Sequence, residues 1–488
     1  MDWLQAPDYW LARWVFERLL GAIYLLGFLA AAAQFPALLG EHGLLPAPRF
    51  LRAATFRETP SLFHLHYSDR LLAAVAWTGM ALSALVLVGA PQAGPAWLPM
   101  LVWLVLWALY LSIVNIGQTF YAFGWESLLL EAGFLAIFLG PASTPPPTPI
   151  LWLLRWLLFR VEFGAGLIKI RHDPCWRDLT CLYYHHETQP MPNPLSWYFH
   201  HLPKPIHRLE VLGNHVAQLV VPFGLFAPQP IAGICGLIVV VHQVWLVLSG
   251  NFAWLNWLTL ALAIVAFDDR QLGLVLPIQH AALEPPAAWY TALVLAATAV
   301  LLVLSYWPAR NLVSRHQLMN FTYNPLHLVN SYGAFGSITR ERHEIVLEGT
   351  DDDHPTVSTV WKEYEFKGKP GDPRRCPPQF APYHLRLDWL MWFAAMSPSF
   401  ANAWFLPLVV KLLENDPATL RLLRHNPFAA RPPAAIRARL LHYRFTTWRE
   451  RRATGAWWVR RPLGLYLPSV RLEPTGRSEL VATGRPSR

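Results

Sequence analysis

The feature that most constrains this chain is a series of long apolar segments within its first 310 residues. A perpendicular helix needs about 20 such residues to cross the hydrocarbon layer, so the shorter segments must be tilted, extended into their flanks or buried within a bundle. Counts from five to nine spans are compatible with these lengths, and we expect eight or nine. Lipid offers the backbone no hydrogen-bond partners and the segments lack barrel alternation, so the spans are predicted to be helices. The segments are residues 19–35, 71–90, 97–115, 125–140, 149–170, 211–227, 231–249, 253–267 and 288–307.

Charged residues are unevenly distributed along the sequence. They make up only 15% of the 488 residues, against about a quarter in soluble domains. Apolar windows dominate up to about Arg310 and charge returns after Ser314, which indicates a membrane region followed by a water-exposed one. We expect a multi-span domain at 1–314 with a His-, Cys- and Pro-rich loop at 171–210. An extramembrane α+β domain with a β-rich part should follow at 315–475, and a disordered tail at 476–488.

The net charge of +9 is explained by cationic loops lying against anionic headgroups, so we expect membrane lipids and no nucleic acid as partners. The long connections at 41–70 and 171–210 are basic, and the positive-inside rule would place their face in the cytoplasm. The first twelve residues carry no base, and no small-residue cleavage site follows the apolar run. The N-terminus is therefore predicted to lead into a retained span and not to form a cleaved signal peptide.

Beyond Ser314 the sequence has the patterns of a mixed domain. Alternation predicts strands at 338–347, 360–366, 440–448 and 456–467, and apolar periodicity predicts helices at 385–396 and 406–427. Nine arginines and a single acid, Glu450, lie between Arg431 and Arg461, interleaved with tryptophans. This stretch is either a solvated basic face or a surface that lies on anionic lipid.

Ionisable residues inside the apolar segments form the first candidate site. Arg155, Glu162 and Lys169 recur every seven residues, so on a helix they share one stripe about two turns apart, while Arg160 faces elsewhere. Unpaired charge is costly in lipid, so we predict interhelical pairs between two acids of the preceding span and Arg155 or Arg160. Such pairs would fix the register of the bundle; alternatively, the cluster lines a polar cavity for a ligand or for proton transfer. The intramembrane charge cluster is Glu126, Glu131, Arg155, Arg160, Glu162 and Lys169.

The second candidate site is the loop that follows this span. Cys175 and Cys181 could form a disulfide or a redox-exchanging dithiol on an oxidising face, or remain ordinary thiols. A zinc site is disfavoured because the cysteines are spaced C-x5-C and adjacent histidines point apart. We therefore assign no metal and no cofactor. The Pro-rich stretch at 187–197 stiffens the loop, which suits either recognition of a polypeptide or lipid surface or packing over the mouth of the bundle. Its side chains of interest are Trp176, His185, His186, Gln189, Trp197, His200 and His201.

Several long strings of the sequence resemble the lipase maturation factor family. They include GWESLLLEAGFL (124–135), GAGLIKIRHDPCWRDLTCLYYHHETQPMPNPLSWY (164–198), SGNFAWLNWLT (249–259), NSYGAFGSITRER (330–342) and HLRLDWLMWFAA (384–395). The likeness extends from the N-terminal WLARW to WWVRR (457–461), and so covers nearly the whole chain.

This resemblance implies a membrane-anchored, chaperone-like factor that assists folding and assembly of secreted homodimeric lipases or similar client proteins. It also implies an endoplasmic reticulum membrane, with a lumenal C-terminal region that engages the client. Long segments translocate largely regardless of charge, so we prefer this orientation to the positive-inside one. The abundance of Ala, Arg and Pro is similar to a microbial member of the family, for which the membrane would be the plasma (inner) membrane. The family supplies no catalytic residues, so none is assigned and an enzyme is not expected.

The alternative function is a membrane-embedded enzyme, because the layout is also similar to the vitamin K-dependent carboxylase group. That reading predicts a charged intramembrane cavity near Glu162 and the His-rich loop, with Lys169 as a candidate base. Convergence of these groups on an enclosed cavity would favour an enzyme, whereas their dispersal into separate pairs would argue against it. A transporter is a weaker option because no inverted repeat is visible.

Overall fold

The computed structural model describes residues 2–473 and 480–482 of the chain. Five helical segments are long and apolar enough to cross a membrane: Pro7–Leu39, Asp69–Val88, Trp97–Asn115, Ile231–Ser249 and Ala288–Val313. The α-helices up to residue 313 are α1 (Trp10–Leu39), α2 (Ala47–Ala53), α3 (Asp69–Val88), α4 (Trp97–Asn115), α5 (Gln118–Tyr121), α6 (Gly124–Ala136), α7 (Thr148–Arg171), α8 (Pro174–Arg177), α9 (Leu182–Thr188), α10 (Ser196–His200), α11 (Lys204–Leu219), α12 (Val221–Gly224), α13 (Ile231–Ser249), α14 (Leu255–Ala263), α15 (Asp269–Leu272), α16 (Ala288–Leu304) and α17 (Tyr306–Val313).

Local sequence explains where the long helices begin and end. The Ser68 hydroxyl accepts a hydrogen bond from the Leu71 N–H and so caps the first turn of α3. The same helix ends at Gly89, whose φ of 78° is the left-handed conformation that a helix C-terminus favours. Helix α7 begins directly after Pro147, and Pro149 occupies its first turn, where a missing N–H costs nothing.

The helices differ in how far they are buried. Helix α6 is buried along almost its whole length, although it carries two glutamates, and α14 is similarly enclosed. These two helices correspond to the short apolar segments at 125–140 and 253–267, so their lengths reflect burial within the bundle. By contrast, only 17% of an 18-residue apolar stretch within Ala288–Val313 is buried inside the protein. Its apolar side chains face outward, as expected of a helix in contact with lipid.

The segment predicted as one span at 211–227 is built differently. Helix α11 begins earlier, at Lys204, and ends at Leu219, and the single turn of α12 follows. Pro222 lies in that turn; it has no N–H to continue the backbone ladder, which explains the interruption.

The C-terminal part contains two sheets and further helices. A five-stranded sheet has the order β2-β1-β5-β6-β7, and β3 pairs with β4. Strand β1 is antiparallel to β5 along its full length, and β5 is antiparallel to β6. The strands are β1 (Arg342–Thr350), β2 (Lys362–Glu363), β3 (Glu365–Phe366), β4 (Leu423–His425), β5 (Ala435–Phe445), β6 (Trp458–Leu472) and β7 (Leu480–Ala482); the α-helices are α18 (Arg386–Met396), α19 (Phe405–Leu413), α20 (Pro417–Leu420) and α21 (Trp448–Thr454).

Two expectations for this part were wrong in detail. The single helix predicted at 406–427 ends at Leu413, because Asn415 adopts a positive φ of 53° and Asp416 caps a new turn that begins with Pro417. The tail predicted to be disordered from 476 contains β7, which pairs with the end of β6. The rest of that tail, 476–479 and 483–488, lies outside the described residues.

Candidate functional site at the junction of the two parts

A buried ion pair joins the helical bundle to the C-terminal part. Arg386 Nη1, at the start of α18, lies 2.7 Å from Glu126 Oε1 in the first turn of α6, and both side chains are fully buried. The Tyr110 hydroxyl donates to the other carboxylate oxygen at 2.5 Å. Gln34, near the end of α1, accepts from the Arg386 N–H at 3.0 Å and donates to the His384 carbonyl at 2.6 Å. Helices α1, α4 and α6 therefore hold one short segment of the C-terminal part.

A second buried pair lies five residues further along α6. Glu131 pairs with Arg160 of α7, as predicted for an interhelical pair. The same carboxylate accepts from the Asn330 N–H at 3.0 Å and from the Tyr332 hydroxyl at 2.7 Å, and Arg160 donates to the Asn330 carbonyl at 2.7 Å. The pair therefore binds the connection that leads into β1, in addition to fixing α6 against α7.

Arg155 does not pair with either acid, so of the two bases predicted as partners, Arg155 or Arg160, only Arg160 forms such a pair. The Arg155 guanidinium donates instead to the Val265 carbonyl at 3.1 Å and the Leu225 carbonyl at 3.3 Å. Both acceptors lie at the ends of helical turns, where backbone carbonyls carry partial negative charge. Glu126 does not pair with Arg155 because it already forms an ion pair with Arg386, which is distant in sequence.

Glu162 and Lys169, the rest of the stripe, are joined through amide side chains. Glu162 accepts from Gln243 at 2.5 Å and from Gln218 at 3.1 Å, and Lys169 donates to Gln218 at 2.8 Å and to Asn214 at 2.9 Å. The amide of Gln218 thus bridges the two charges across a distance that neither side chain spans. These bonds tie α7 to α11 and α13, an arrangement in which the hydrogen-bonding groups of a buried acid and base are satisfied.

Cys175 and Cys181 form a disulfide at the start of the His-rich loop, with 4.8 Å between their Cα atoms. Asp173, immediately before it, accepts from the Cys175 N–H at 3.1 Å and forms an ion pair with Arg340 at 2.8 Å. The disulfide therefore stiffens the part of the loop that contacts the connection between Tyr332 and β1.

The side chains proposed for client recognition are mostly buried. A client cannot contact a buried side chain in this conformation, so direct recognition through these groups is not compatible with the structure. The loop instead packs over the mouth of the bundle. Trp176, His185, His186, Gln189 and Trp197 are buried, and His200 and His201 are half-buried.

These buried side chains fasten the loop to both parts of the molecule. The Gln189 amide donates to the Ser249 carbonyl at the end of α13, at 2.9 Å, and the Trp197 indole donates to the Thr446 carbonyl beyond β5, at 2.9 Å. Arg342 at the start of β1 donates to three carbonyls of the loop, those of Glu187, Gln189 and Pro190. The loop is therefore a layer between membrane helices and sheet.

Burial changes the protonation of the titratable groups in this layer. It raises the pKa of Glu187 to about 7 and lowers the pKa of His200 to about 4. The two side chains lie 3.7 Å apart, yet His200 is neutral at pH 7, so they do not form an ion pair there. Glu187 is held by the Phe445 N–H at 2.6 Å.

Beneath the loop, Glu344 of β1 is paired with Arg342 at 2.6 Å and with Lys369 at 2.5 Å, and all three side chains are buried. Burial lowers the pKa of Lys369, and the neighbouring Glu344 opposes that shift.

For the contacts at this junction, the sequence did not identify the partner residues that belong to the C-terminal part. Arg386 was visible as the only base in the mostly apolar LRLDWLMWFAAM, which also contains Asp388, and this signal could have identified it as a buried charge. Asn330 and Tyr332 lie in a connection with no periodic pattern, and nothing in the local sequence marked them as partners of Glu131.

The fold and these contacts define a class of protein: an integral membrane protein of several helices whose C-terminal part, with its β-strands, is fixed to the bundle by buried polar contacts. Its sequence matches the model of the lipase maturation factor transmembrane domain at residues 11–274 and that of the lipase maturation factor C-terminal domain at 328–468. The chain belongs to the lipase maturation factor family, which confirms the resemblance noted from its sequence.

Named relatives cover nearly the whole chain. Lipase maturation factor 1 of Homo sapiens is 43% identical over 96% of this chain and 89% of its own length, and the Mus musculus protein is 42% identical over the same shares. Lipase maturation factor 2 of Homo sapiens is 31% identical over 95% of this chain and 83% of its own length. No solved structure matches this chain.

Proposed function

We propose that this chain is a membrane-anchored maturation factor that assists folding and assembly of secreted lipases, homodimeric ones in particular. The observation that carries the proposal is the 43% identity to a lipase maturation factor over 96% of the chain. The alternative of an enzyme similar to the vitamin K-dependent carboxylase group gains no support from the relatives. The two arginines of the charge cluster also bind separate partners, Arg155 at backbone carbonyls and Arg160 at Glu131. Glu162 and Lys169 are joined through the amide of Gln218, which takes up hydrogen bonds of both.

Nine membrane crossings are proposed, formed by α1, α3, α4, α6, α7, α11 with α12, α13, α14 and α16. With nine crossings, the N-terminus must lie on the same membrane face as the connections that follow the second, fourth, sixth and eighth crossings. Contacts agree: Trp10 binds the Ala142 carbonyl at 2.7 Å and Asp269 at 3.2 Å, and Gln229 binds the Tyr9 hydroxyl at 3.0 Å. Tyr9 and Trp10 lie at the start of the first crossing, and Ala142, Gln229 and Asp269 follow the fourth, sixth and eighth crossings.

The other face carries the C-terminal part. Arg386 contacts Gln34 at the end of the first crossing and the Phe120 carbonyl after the third, and the Phe380 N–H donates to Asn251 after the seventh, at 3.0 Å. We propose the division expected from the sequence: a membrane domain at 1–314 and an extramembrane domain at 315–475.

We propose that this second face is lumenal in the endoplasmic reticulum, or extracytoplasmic if the chain acts in a plasma (inner) membrane. The Cys175–Cys181 disulfide supports that orientation, because disulfides persist in oxidising compartments and are rare in the cytosol. The basic loops of this face oppose it under the positive-inside rule, which weakens for long segments.

Client contact through the loop is proposed to be limited to its exposed side chains. Leu195 and Tyr198 are 41% and 42% exposed, and Trp448 of α21, 47% exposed, lies beside Tyr198 with 6.0 Å between ring centroids. The buried loop residues would then act by positioning this aromatic surface. Membrane lipids contact the outward faces of the peripheral helices.

The function is tested by expressing the full chain with a secreted homodimeric lipase in cells that lack their own maturation factor. We expect secreted lipase activity and dimer to rise when the chain is present in the membrane. Unchanged lipase activity and dimer at a confirmed membrane level of the chain would contradict the proposal.

The contact surface is tested separately by replacing Tyr198 with a photo-crosslinkable amino acid. We expect the lipase to be captured at this position and not at Leu274, which is 86% exposed and follows the eighth crossing on the opposite face. Equal capture at both positions would rule out a specific contact at Tyr198.

A further inference from the structure

A cluster of metal-ligand side chains lies between α9 and α11, outside the contacts described above. His186 belongs to α9, and His207 and Glu210 lie three residues apart in α11. One ligand atom from each of the three lies within 4.8 Å of the other two. His207 Nδ1 is 2.8 Å from Glu210 Oε2. Residues three apart share a face of a helix, and a His and a Glu at this spacing supply metal ligands in helical bundle sites.

His186 is the unusual member of the cluster. Its side chain is buried, with 3% exposed, and neither ring nitrogen has a hydrogen-bond partner among the described residues. The nearby His201 and His215 differ, because a ring nitrogen of each binds a backbone carbonyl, at 2.7 and 2.9 Å. Burial of an imidazole without any partner removes the hydrogen bonds of both nitrogens to water and destabilises the fold. A bound ligand at one of these nitrogens would offset that cost.

Glu210 is already oriented for coordination. The indole N–H of Trp245, in α13, donates to Glu210 Oε1 at 2.9 Å, while Oε2 faces His207. Metal-binding carboxylates are commonly held by such an outer hydrogen bond, which fixes the direction of the free oxygen.

We propose that His186, His207 and Glu210 bind one zinc ion, with water in the fourth position. Two imidazole nitrogens and one carboxylate oxygen suit zinc, whereas calcium and magnesium prefer oxygen ligands alone. Bonds of about 2.0–2.1 Å in a tetrahedral site place ligand atoms about 3.3 Å apart. To bind the ion, His207 Nδ1 and Glu210 Oε2, now 2.8 Å apart, must therefore separate slightly, and ligand atoms up to 4.8 Å apart must approach one another. The sequence argument against zinc concerned the cysteines and the adjacent histidine pairs, and this site uses one histidine of a single pair.

The zinc ion would fasten α9 of the loop to α11, and through Trp245 to α13. It would thereby hold the loop that forms the layer between the membrane helices and the sheet. The second nearby trio, Asp173 with Cys175 and Cys181, is a poorer zinc site because the two sulfurs are bonded to each other.

The test uses the purified full-length chain, loaded with zinc and passed through metal-free buffer, with zinc measured by mass spectrometry. We expect about one zinc ion per chain, and loss of most of it in His186→Ala and Glu210→Gln. His185→Ala is the matched control, because His185 is the adjacent buried histidine, stacked on Phe252 and outside the cluster. Zinc that is substoichiometric in the wild type, or unchanged in both cluster variants, would overturn the site.

A measurement on the wild type alone guards against variants that fail to fold. X-ray absorption at the zinc edge, on the loaded chain, should show nitrogen and oxygen ligands with the scattering pattern of two imidazoles. Sulfur ligands, or the absence of imidazole scattering, would overturn the assignment whatever the behaviour of the variants.

Discussion

Arg386 Nη1 lies 2.7 Å from Glu126 Oε1, and neither side chain has any exposed surface. The two residues are 260 positions apart, one in α6 of the bundle and the other in α18 of the C-terminal part. Their contact makes the two parts one structural unit, because a charge buried this far from water must be compensated by its partner.

Removing one member of this pair should loosen the junction. We expect Glu126→Ala to destabilise the chain by about 3–5 kcal/mol, since it leaves the Arg386 guanidinium buried without its counter-ion. The double variant with Arg386→Ala should lose less than the sum of the two single changes. Thermal unfolding in detergent, together with protease cleavage between the two parts, measures both effects.

The control for that pair is Arg431→Ala, which removes a surface ion pair. Arg431 Nε lies 3.1 Å from Asp351 Oδ1, and the arginine side chain is 71% exposed. Solvent screens such pairs, so unfolding should hardly change. Equal effects of Glu126→Ala and Arg431→Ala would show that the buried pair is not what holds the junction.

Close approach at Gly164 should make this position intolerant of any side chain. A Cβ there would lie 2.4 Å from the Tyr332 carbonyl oxygen, a backbone atom that cannot rotate away. We expect Gly164→Ala to cost about 1–3 kcal/mol by displacing the 330–332 connection from α7. Gly213→Ala is the matched control, because nothing lies within 4 Å of the place where its Cβ would be. There alanine should stabilise the helix, since its helix propensity is higher than that of glycine. If both changes prove equally harmless in thermal unfolding, the packing at Gly164 is looser than described.

Removal of the disulfide should destabilise the loop. We expect Cys175→Ala with Cys181→Ala to cost about 2 kcal/mol, the loss of loop-closure entropy for a short loop. The change in unfolding temperature should disappear when wild type and variant are compared under reducing conditions. Cys376→Ala, which removes an exposed free cysteine, should have no comparable effect. Thiol labelling of the unfolded, unreduced chain should detect Cys235 and Cys376 and leave the bonded pair unlabelled.

Asp388 should make the stability of the C-terminal part depend on pH. Burial raises its pKa from 3.8 to about 6, although the Gly368 N–H donates to it at 2.6 Å. A carboxyl with a raised pKa stabilises the fold most when protonated, so its contribution is full below pH 3.8 and is lost as pH rises to about 6. We expect Asp388→Asn to raise the unfolding temperature at pH 7.5 relative to wild type, and the difference to shrink towards pH 4. A constant difference across this range would contradict the raised pKa.

Much of the bundle was predictable because lipid imposes its rules locally. Apolar length located the five helical segments that are long and apolar enough to cross a membrane, and the cost of buried charge predicted the Glu131–Arg160 pair. The partner of Glu126 was predicted wrongly, since an arginine so far along the chain gives no periodic signal near α6. The His-rich loop was recognised from its composition, but its burial depends on β1 and β5, which cover it.

The sequence by itself determined the class of protein, a helical membrane region followed by a domain with strands, because hydropathy and periodicity are properties of short windows. It also determined the family, through long ordered strings of residues. Only the tertiary structure decided which charges meet, and that His186, His207 and Glu210 converge. Those outcomes depend on contacts between residues distant in the chain or on different elements, and pairing of that kind is fixed by packing of the whole molecule.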